Sequence, residues 1–314
     1  MIVCFSANPA LDRRLRVSQF VLGEVNRAHS SEILPGGKAA HVAMAARALG
    51  ERTVWVAFLG GTIGEQCATE MRKLDLELVS VRTRASTRVN LEVIDKSGQI
   101  TELLEPGGTP DAEEREAMLR ICQKQLRGEW KNALVVISGS LPAGTPANFY
   151  SSLIATARSA GSKVFLDTSG DALQAGLEAN PDFVKPNRKE AETLLGRSVS
   201  SLSEAQDAAA LIIARGARSV AVTLGAEGLV WKESREGPTW IANPPRLSAV
   251  STVGCGDVTL AGFAYAFERG WQGEKTVRFA TACGAANCLA KLEGQIALPD
   301  VEALLPQIIV RQQG

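Results

Sequence analysis

The run Ser251-Thr252-Val253-Gly254-Cys255-Gly256-Asp257 sets two glycines around one small residue, with a carboxylate next and an amphipathic stretch from Val258 onward. A glycine-rich turn opening a helix presents the backbone N–H groups of Gly254, Cys255 and Gly256 to a ligand, and with the macrodipole they favour an anion. An aspartate there repels the anion, which suits simple binding poorly. It suits phosphoryl transfer, in which Asp257 takes a proton from a hydroxyl while the N–H groups hold the phosphoryl group being attacked. Locally, a glycine-rich loop with Asp257 capping the helix explains the same residues equally well.

Other stretches carry compatible chemistry. Pro35-Gly36-Gly37-Lys38 opens a helix, and its glycines allow close approach to a ligand. Lys38 in the first turn opposes the helix dipole, which favours a ligand role over a solvated lysine. In Thr87-Arg88-Val89-Asn90 the period of two puts Arg88 and Asn90 on one face of a strand. That pair suits a phosphate and a sugar hydroxyl, although an exposed edge strand is the simpler reading. Asn187 and Glu190 have capping-box spacing, the reading the local pattern prefers; the alternative is that both organise water around Mg²⁺. No Gly-x-x-x-x-Gly-Lys-Ser/Thr occurs, and Gly254-x-Gly256 lacks the third glycine of a dinucleotide loop.

The elements that must position these residues alternate in type. Residues 53–58, 133–137, 163–166 and 219–224 read as buried parallel strands. Residues 38–49, 112–126, 147–160, 204–215 and 277–292 carry helical apolar spacing. This predicts a doubly wound, mostly parallel sheet flanked by helices, within one α/β domain spanning 1–314. Residues near 10–34 and 76–105 are strand-like with little helix and predict a small antiparallel sheet beside the main one, a lid or dimer contact. Ser138-Gly139-Ser140, Asp167-Thr168-Ser169-Gly170, Lys185-Pro186-Asn187 and Gly225-Ala226-Glu227-Gly228 all follow strands, where α/β sheets bind ligands.

Lysine plus arginine equals aspartate plus glutamate, 34 each, so no nucleic-acid footprint or polybasic membrane anchor is expected. The first residues lack a signal-peptide pattern, and no apolar run reaches the length of a membrane span. Six scattered cysteines without Cys-x-x-Cys, and two histidines, argue against a zinc site or disulfide framework. The expected location is cytoplasmic.

In order along the chain, Asn8-Pro9-Ala10-Leu11-Asp12, the Gly36–Lys38 turn, the Arg88–Asn90 pair, Glu105-Pro106-Gly107, the Ser138–Pro142 turn, Lys185–Glu190, Thr223–Gly228 and the Gly254–Asp257 loop resemble the PfkB (ribokinase-like) family of carbohydrate kinases. The resemblance spans nearly the whole chain and is nearest the phosphosugar branch holding 1-phosphofructokinases and tagatose-6-phosphate kinases. It implies a ribokinase-like fold with a β-sheet lid, and ATP and Mg²⁺ as cofactors. It implies transfer of the γ-phosphoryl group to a sugar phosphate, with fructose 1-phosphate or tagatose 6-phosphate leading. Asp257 is then the base, with Gly254, Cys255 and Gly256 as the anion hole. Asp12 and Gly37 face the sugar; Lys38, Arg88, Asn90 and Arg27 grip its phosphate. Lys185, Asn187, Thr223, Gly225 and Gly228 flank the nucleotide, Asn287 lies near the adenine, and Glu190 acts on Mg²⁺ through water. A homodimer through the lid is also implied.

The branch pattern Gly-Gly-Lys-Gly-x-Asn reads Gly36-Gly37-Lys38-Ala39-Ala40-His41 here. Ala39 is expected to add a methyl facing the ligand, and His41 to replace a sugar-facing asparagine, which puts the sugar's identity in question. Cys255 stands where alanine is usual; a tolerated small residue is one reading, and a thiol whose pKa the helix N-terminus lowers is the other. Two alternatives compete: a kinase of an unphosphorylated sugar or nucleoside, for which a cationic clamp has no purpose, and a non-catalytic sugar-phosphate sensor, which has no need of Asp257.

Overall fold

The first strand, β1 (Ile2–Ser6), lies inside a sheet whose other strands join on both sides of it. In this computed structural model, which describes residues 1–248 and 251–313, the chain continues through β2 (Ala10–Val17), β3 (Ala28–Gly36), α1 (Lys38–Ala48), β4 (Thr53–Gly60), α2 (Gly61–Lys73), β5 (Glu77–Thr83), β6 (Arg88–Ile94) and β7 (Ile100–Leu104). Then follow α3 (Ala112–Arg127), β8 (Leu134–Ser138), α4 (Phe149–Ser159), β9 (Val164–Asp167), α5 (Gly170–Glu178), β10 (Phe183–Val184), α6 (Arg188–Leu195), α7 (Leu202–Ala214) and β11 (Val220–Thr223). The last elements are β12 (Leu229–Lys232), β13 (Thr239–Asn243), α8 (Cys255–Glu268), α9 (Gly273–Leu289), α10 (Leu298–Leu304) and β14 (Ile309–Gln313).

Among the described residues the main sheet runs β14-β13-β12-β11-β10-β9-β8-β1-β4-β5. It is parallel from β11 to β5, and antiparallel through β12, β13 and β14. Its central strands are apolar on both sides because both faces are covered, as a doubly wound sheet requires. Along β4, Trp55 and Ala57 enter one core with α1, α8 and α9, while Val54, Val56 and Phe58 enter the opposite core with α3, α4 and α7. The chain leaves β1 toward β4 and β5, then returns to β8 and builds outward the other way. The crevice between β1 and β8 is therefore the switch point where such sheets bind ligands.

The second sheet, β3-β2-β6-β7, departs from expectation in two ways. Its central pair, β2 and β6, is parallel, and only the outer pairs are antiparallel. Residues Glu77–Thr83 join the edge of the main sheet beside β4 instead of this lid. Alternating polarity marks an exposed strand in either sheet, so the pattern alone does not assign it. No helix of the described chain is long and apolar enough to cross a membrane.

Candidate active site

Between the lid and the carboxyl ends of the main strands lies a cleft of about 1210 Å³. The parallel register of β2 and β6 supplies much of its floor, setting Asp12 opposite Asn90 and Arg14 opposite Glu92. Asn90 Nδ2 donates to Asp12 Oδ1 at 2.7 Å. Arg14 donates to Glu92 Oε2 through Nε and Nη2, at 3.1 and 3.0 Å, and also pairs with Glu293 in the loop after α9. Burial and the facing Glu293 push Glu92 up to about 7, against the pull of Arg14. This buried cluster ties the lid to the segment packed against the Gly254 turn.

Asp12 needs space that only glycine leaves. It faces Gly36, opposite Ala10 on β3, where an added Cβ would fall on the Asp12 carboxylate. Gly36→Ala is therefore expected to displace Asp12 and raise the acceptor KM by roughly 10- to 100-fold, the scale of an ångström-level misplacement. Nucleotide KM and melting temperature are expected to change little; steady-state kinetics and thermal denaturation would check this, and an unchanged acceptor KM would contradict it.

The α8 turn has the shape an anion site needs. Gly254 has φ 72°, a left-handed conformation that places the following N–H groups at the helix start, and no side chain caps them. Cys255 N–H leans back toward the Thr252 carbonyl at 3.4 Å. Asp257, at the third position of the helix, is buried and has its Oδ2 2.9 Å from His41 Nδ1. The other ring nitrogen, Nε2, lies 3.0 Å from Asp12 Oδ2. His41 therefore joins two carboxylates that stand 245 positions apart in sequence.

Opposite them, Asp167 at the end of β9 is fully enclosed and faces two ammonium groups, Lys38 Nζ at 3.2 Å and Lys185 Nζ at 3.4 Å. Burial alone would raise Asp167, but Lys185 and Lys38 outweigh it and hold the carboxyl below its usual range. Lys38 also donates to Glu190 Oε1 at 2.9 Å. Burial opposes its charge, yet Asp167 and Glu190 hold its pKa above the ordinary lysine value. The capping box on α6 is present: Asn187 Oδ1 accepts from Glu190 N–H at 2.9 Å and Glu190 Oε2 from Asn187 N–H at 2.8 Å. Both Glu190 oxygens thus already hold protein donors. That donor set fits a magnesium ion held through water, as the hard, strongly hydrated ion prefers, and does not fit direct ligation by Glu190.

Of the residues singled out from sequence, Asp12, Gly37, Lys38, His41, Arg88, Asn90, Lys185, Asn187, Glu190, Thr223, Gly225, Gly228, Gly254, Cys255, Gly256 and Asp257 all line this cleft. Two do not. Arg27 is exposed in the loop joining β2 to β3, outside the cleft lining. Asn287 is buried behind the α8 turn, where its amide donates to the Val253 carbonyl at 2.8 Å and accepts from Gly294 N–H at 2.9 Å. With a further contact from its Nδ2 to Cys255 Sγ at 3.4 Å, these hydrogen bonds brace the turn from behind the cleft lining.

Two further expectations change. The Ala39 methyl is enclosed in the core and does not meet a ligand. Cys255 does not stand alone at the helix start: its Sγ is 2.8 Å from Cys288 Sγ, so the two thiols share one proton-donating contact, which with burial raises Cys255 and against burial lowers Cys288. Sequence reading passed over Glu102 and Arg246, which line the cleft, and placed Ser140 in a ligand-binding turn without giving it a role. Neither Glu102 nor Arg246 carries a local motif that would have marked it.

A buried carboxylate in the first turn of a helix whose start carries no side-chain cap, near two lysines beyond the strand ends of an α/β sheet, has the layout that phosphoryl transfer requires. The sequence matches the pfkB family carbohydrate kinase profile over residues 1–299, and the chain belongs to that family, as an ATP-dependent carbohydrate kinase. It is 32% identical to a 1-phosphofructokinase of Vibrio cholerae over 304 residues, covering 96% of this chain and 93% of the relative. A 1-phosphofructokinase of Rhodobacter capsulatus is 35% identical over 284 residues, 90% of this chain and 88% of the relative. Among solved structures, phosphofructokinase-2 from Escherichia coli in complex with fructose-6-phosphate superimposes with a TM-score of 0.89 at 28% identity, covering 98% of both chains.

Proposed function

We propose that this kinase phosphorylates a hydroxyl of a hexose phosphate, with fructose 1-phosphate or tagatose 6-phosphate as the leading acceptors and Asp257 as general base. One observation carries the choice of a phosphorylated acceptor. Arg88 Nε and Asn90 Oδ1 are buried without hydrogen-bond partners among the described residues, on two residues that line the cleft beside Asp12. Leaving such groups unpaired costs about 1–3 kcal/mol each, more when charged, which a phosphate oxygen and a sugar hydroxyl would offset. The relatives named as 1-phosphofructokinases support the same reading.

In the reaction the acceptor O–H bond breaks and its proton passes to Asp257. The acceptor oxygen bonds to the γ-phosphorus, and the bond from that phosphorus to the β,γ-bridging oxygen breaks, its electron pair leaving on ADP. Gly254, Cys255 and Gly256 N–H groups hold the transferring phosphoryl oxygens. Lys38 lies within electrostatic reach of Asp257, Asp167 and Glu190, which suits it to the transferring group more than to the acceptor's own phosphate. Mg²⁺, held through water by Glu190 and Asn187, would offset charge on the nucleotide phosphates. Lys185, Thr223, Gly225 and Gly228 would flank the nucleotide, and closure of the lid would exclude water from the transfer. The exposed lid residues Leu22, Val25 and Leu103 support docking of a second copy there.

ADP release coupled to a reporter, with Mg·ATP and a panel of fructose 1-phosphate, fructose 6-phosphate, tagatose 6-phosphate, fructose, ribose and adenosine, tests the proposal. Turnover confined to phosphorylated sugars is the expected result. Turnover only on neutral acceptors would overturn it.

A further inference from the structure

Among the described residues, His41 is the one side chain hydrogen-bonded to both Asp12 and Asp257. Both its ring nitrogens face carboxylate oxygens, at 2.9 and 3.0 Å, and ionised carboxylates only accept hydrogen bonds. A neutral imidazole has one N–H and one lone pair, so one of these contacts would set lone pair against lone pair. The imidazolium satisfies both. It also leaves each carboxylate with unused capacity. Asp257 Oδ1 has no hydrogen bond among the described residues, and the Asp12 oxygens take one donor each, from Asn90 and His41.

We propose that His41 is a positioning residue for phosphoryl transfer: its imidazolium donates Nδ1–H to Asp257 and Nε2–H to Asp12, locking the carboxylate that meets the reacting hydroxyl in register with the one that grips the neighbouring hydroxyls. This rests on the kinase reading of the site. It makes residue 41 a determinant of which hydroxyl is attacked, because the distance between the two carboxylates is set by the width of one imidazole ring. A shorter neutral amide here spans one carboxylate and releases the other.

The surroundings hold the ring's charge. Asp12 on β2, Asp257 on α8, Glu102 on β7 and Glu293 behind the Gly254 turn are the acids facing it. Glu92 stands behind Asp12 on β6, while Lys38 on α1, Arg14 on β2 and Arg88 on β6 are the nearby cations. Burial alone would lower His41, but its hydrogen bonds to Asp12 and Asp257 outweigh that and place it well above an ordinary histidine. The bridge is therefore intact at neutral pH and is lost as pH rises through the folded-state value.

The first test needs no turnover. The chain has two histidines, and His29 is exposed, so ¹⁵N-histidine NMR of the intact protein reads His41 against one internal reference. The expected result is a His41 ring with both nitrogens protonated at pH 7.5, absent from His41→Asn. A neutral His41 ring at that pH would overturn the proposal whether or not any acceptor is phosphorylated. The second test is kinetic: His41→Asn is expected to lower kcat about 10- to 100-fold with ATP KM within about twofold. The parent is expected to show an alkaline fall in kcat/KM, which this variant should lack, together with a narrower ratio of rates between competing hexose phosphates. A variant with the parent's pH profile and acceptor ratios would equally overturn the proposal. Failure of the kinase reading appears separately, as a lack of turnover in the parent on every acceptor of the panel.

Discussion

Asp257→Asn is expected to reduce kcat by about a thousandfold while leaving ATP affinity nearly unchanged, because a positioned general base contributes on the order of 10²–10⁴-fold. The substitution keeps size and shape, so α8 and its N-terminal turn should persist. The new amide can still turn its oxygen toward His41 Nδ1, as the native Oδ2 does at 2.9 Å. Its NH₂ group then takes the place of Oδ1 and donates toward the acceptor hydroxyl instead of accepting from it. The hydroxyl remains bound but has nowhere to lose its proton. Single-turnover kinetics with calorimetric ATP titration would separate the two effects. Turnover within a few fold of the parent would remove Asp257 from the role of base.

Arg88→Ala is expected to weaken the phosphorylated acceptor selectively. The guanidinium is anchored by Nη1 to the Glu105 carbonyl at 2.9 Å and by Nη2 to the Asn8 carbonyl at 3.4 Å, which leaves Nε unpartnered. Burial pulls its pKa down, partly offset by Asp12 and Glu105, so the cation lacks full compensation in the free enzyme. An acceptor phosphate would supply it. Truncating one partner of a desolvated charge pair costs about 2–5 kcal/mol, roughly 30- to several-thousand-fold in acceptor kcat/KM. ATP KM should hold, since Arg88 is on the lid strand β6 and the residues proposed to flank the nucleotide follow β10 and β11. An unchanged preference for phosphorylated over neutral sugars would place the acceptor's phosphate elsewhere.

Both predictions concern residues visible in the sequence, and the reason is local geometry. A glycine-aspartate turn before a helix announces its N–H groups through backbone conformation alone. Arg88 and Asn90 share a face through the period of two. The apolar runs at β4, β8, β9 and β11 announce buried parallel strands because a sheet covered on both faces demands them. Hydrophobic pattern therefore determined the layered α/β sheet, and motif order determined the kinase family.

What the sequence left open depends on contacts between distant segments. The α6 capping box is local and was legible; the engagement of Glu190 with Lys38 is not, because 152 residues separate them. Asn287 reads as a polar residue near a ligand until packing spends its amide on the Val253 and Gly294 backbones. Cys255 reads as either a small packing residue or a lone thiol at a helix start, and only the fold brings Cys288 of α9 against it. The parallel pairing of β2 with β6 is likewise invisible to alternation, which is the same in either direction. Composition and periodicity by themselves determined the layers, the location of the loops and the residues able to do chemistry. Only the tertiary structure decided their partners, and so their charges, since a hydrogen bond between His41 and two aspartates exists only once three separate elements have packed.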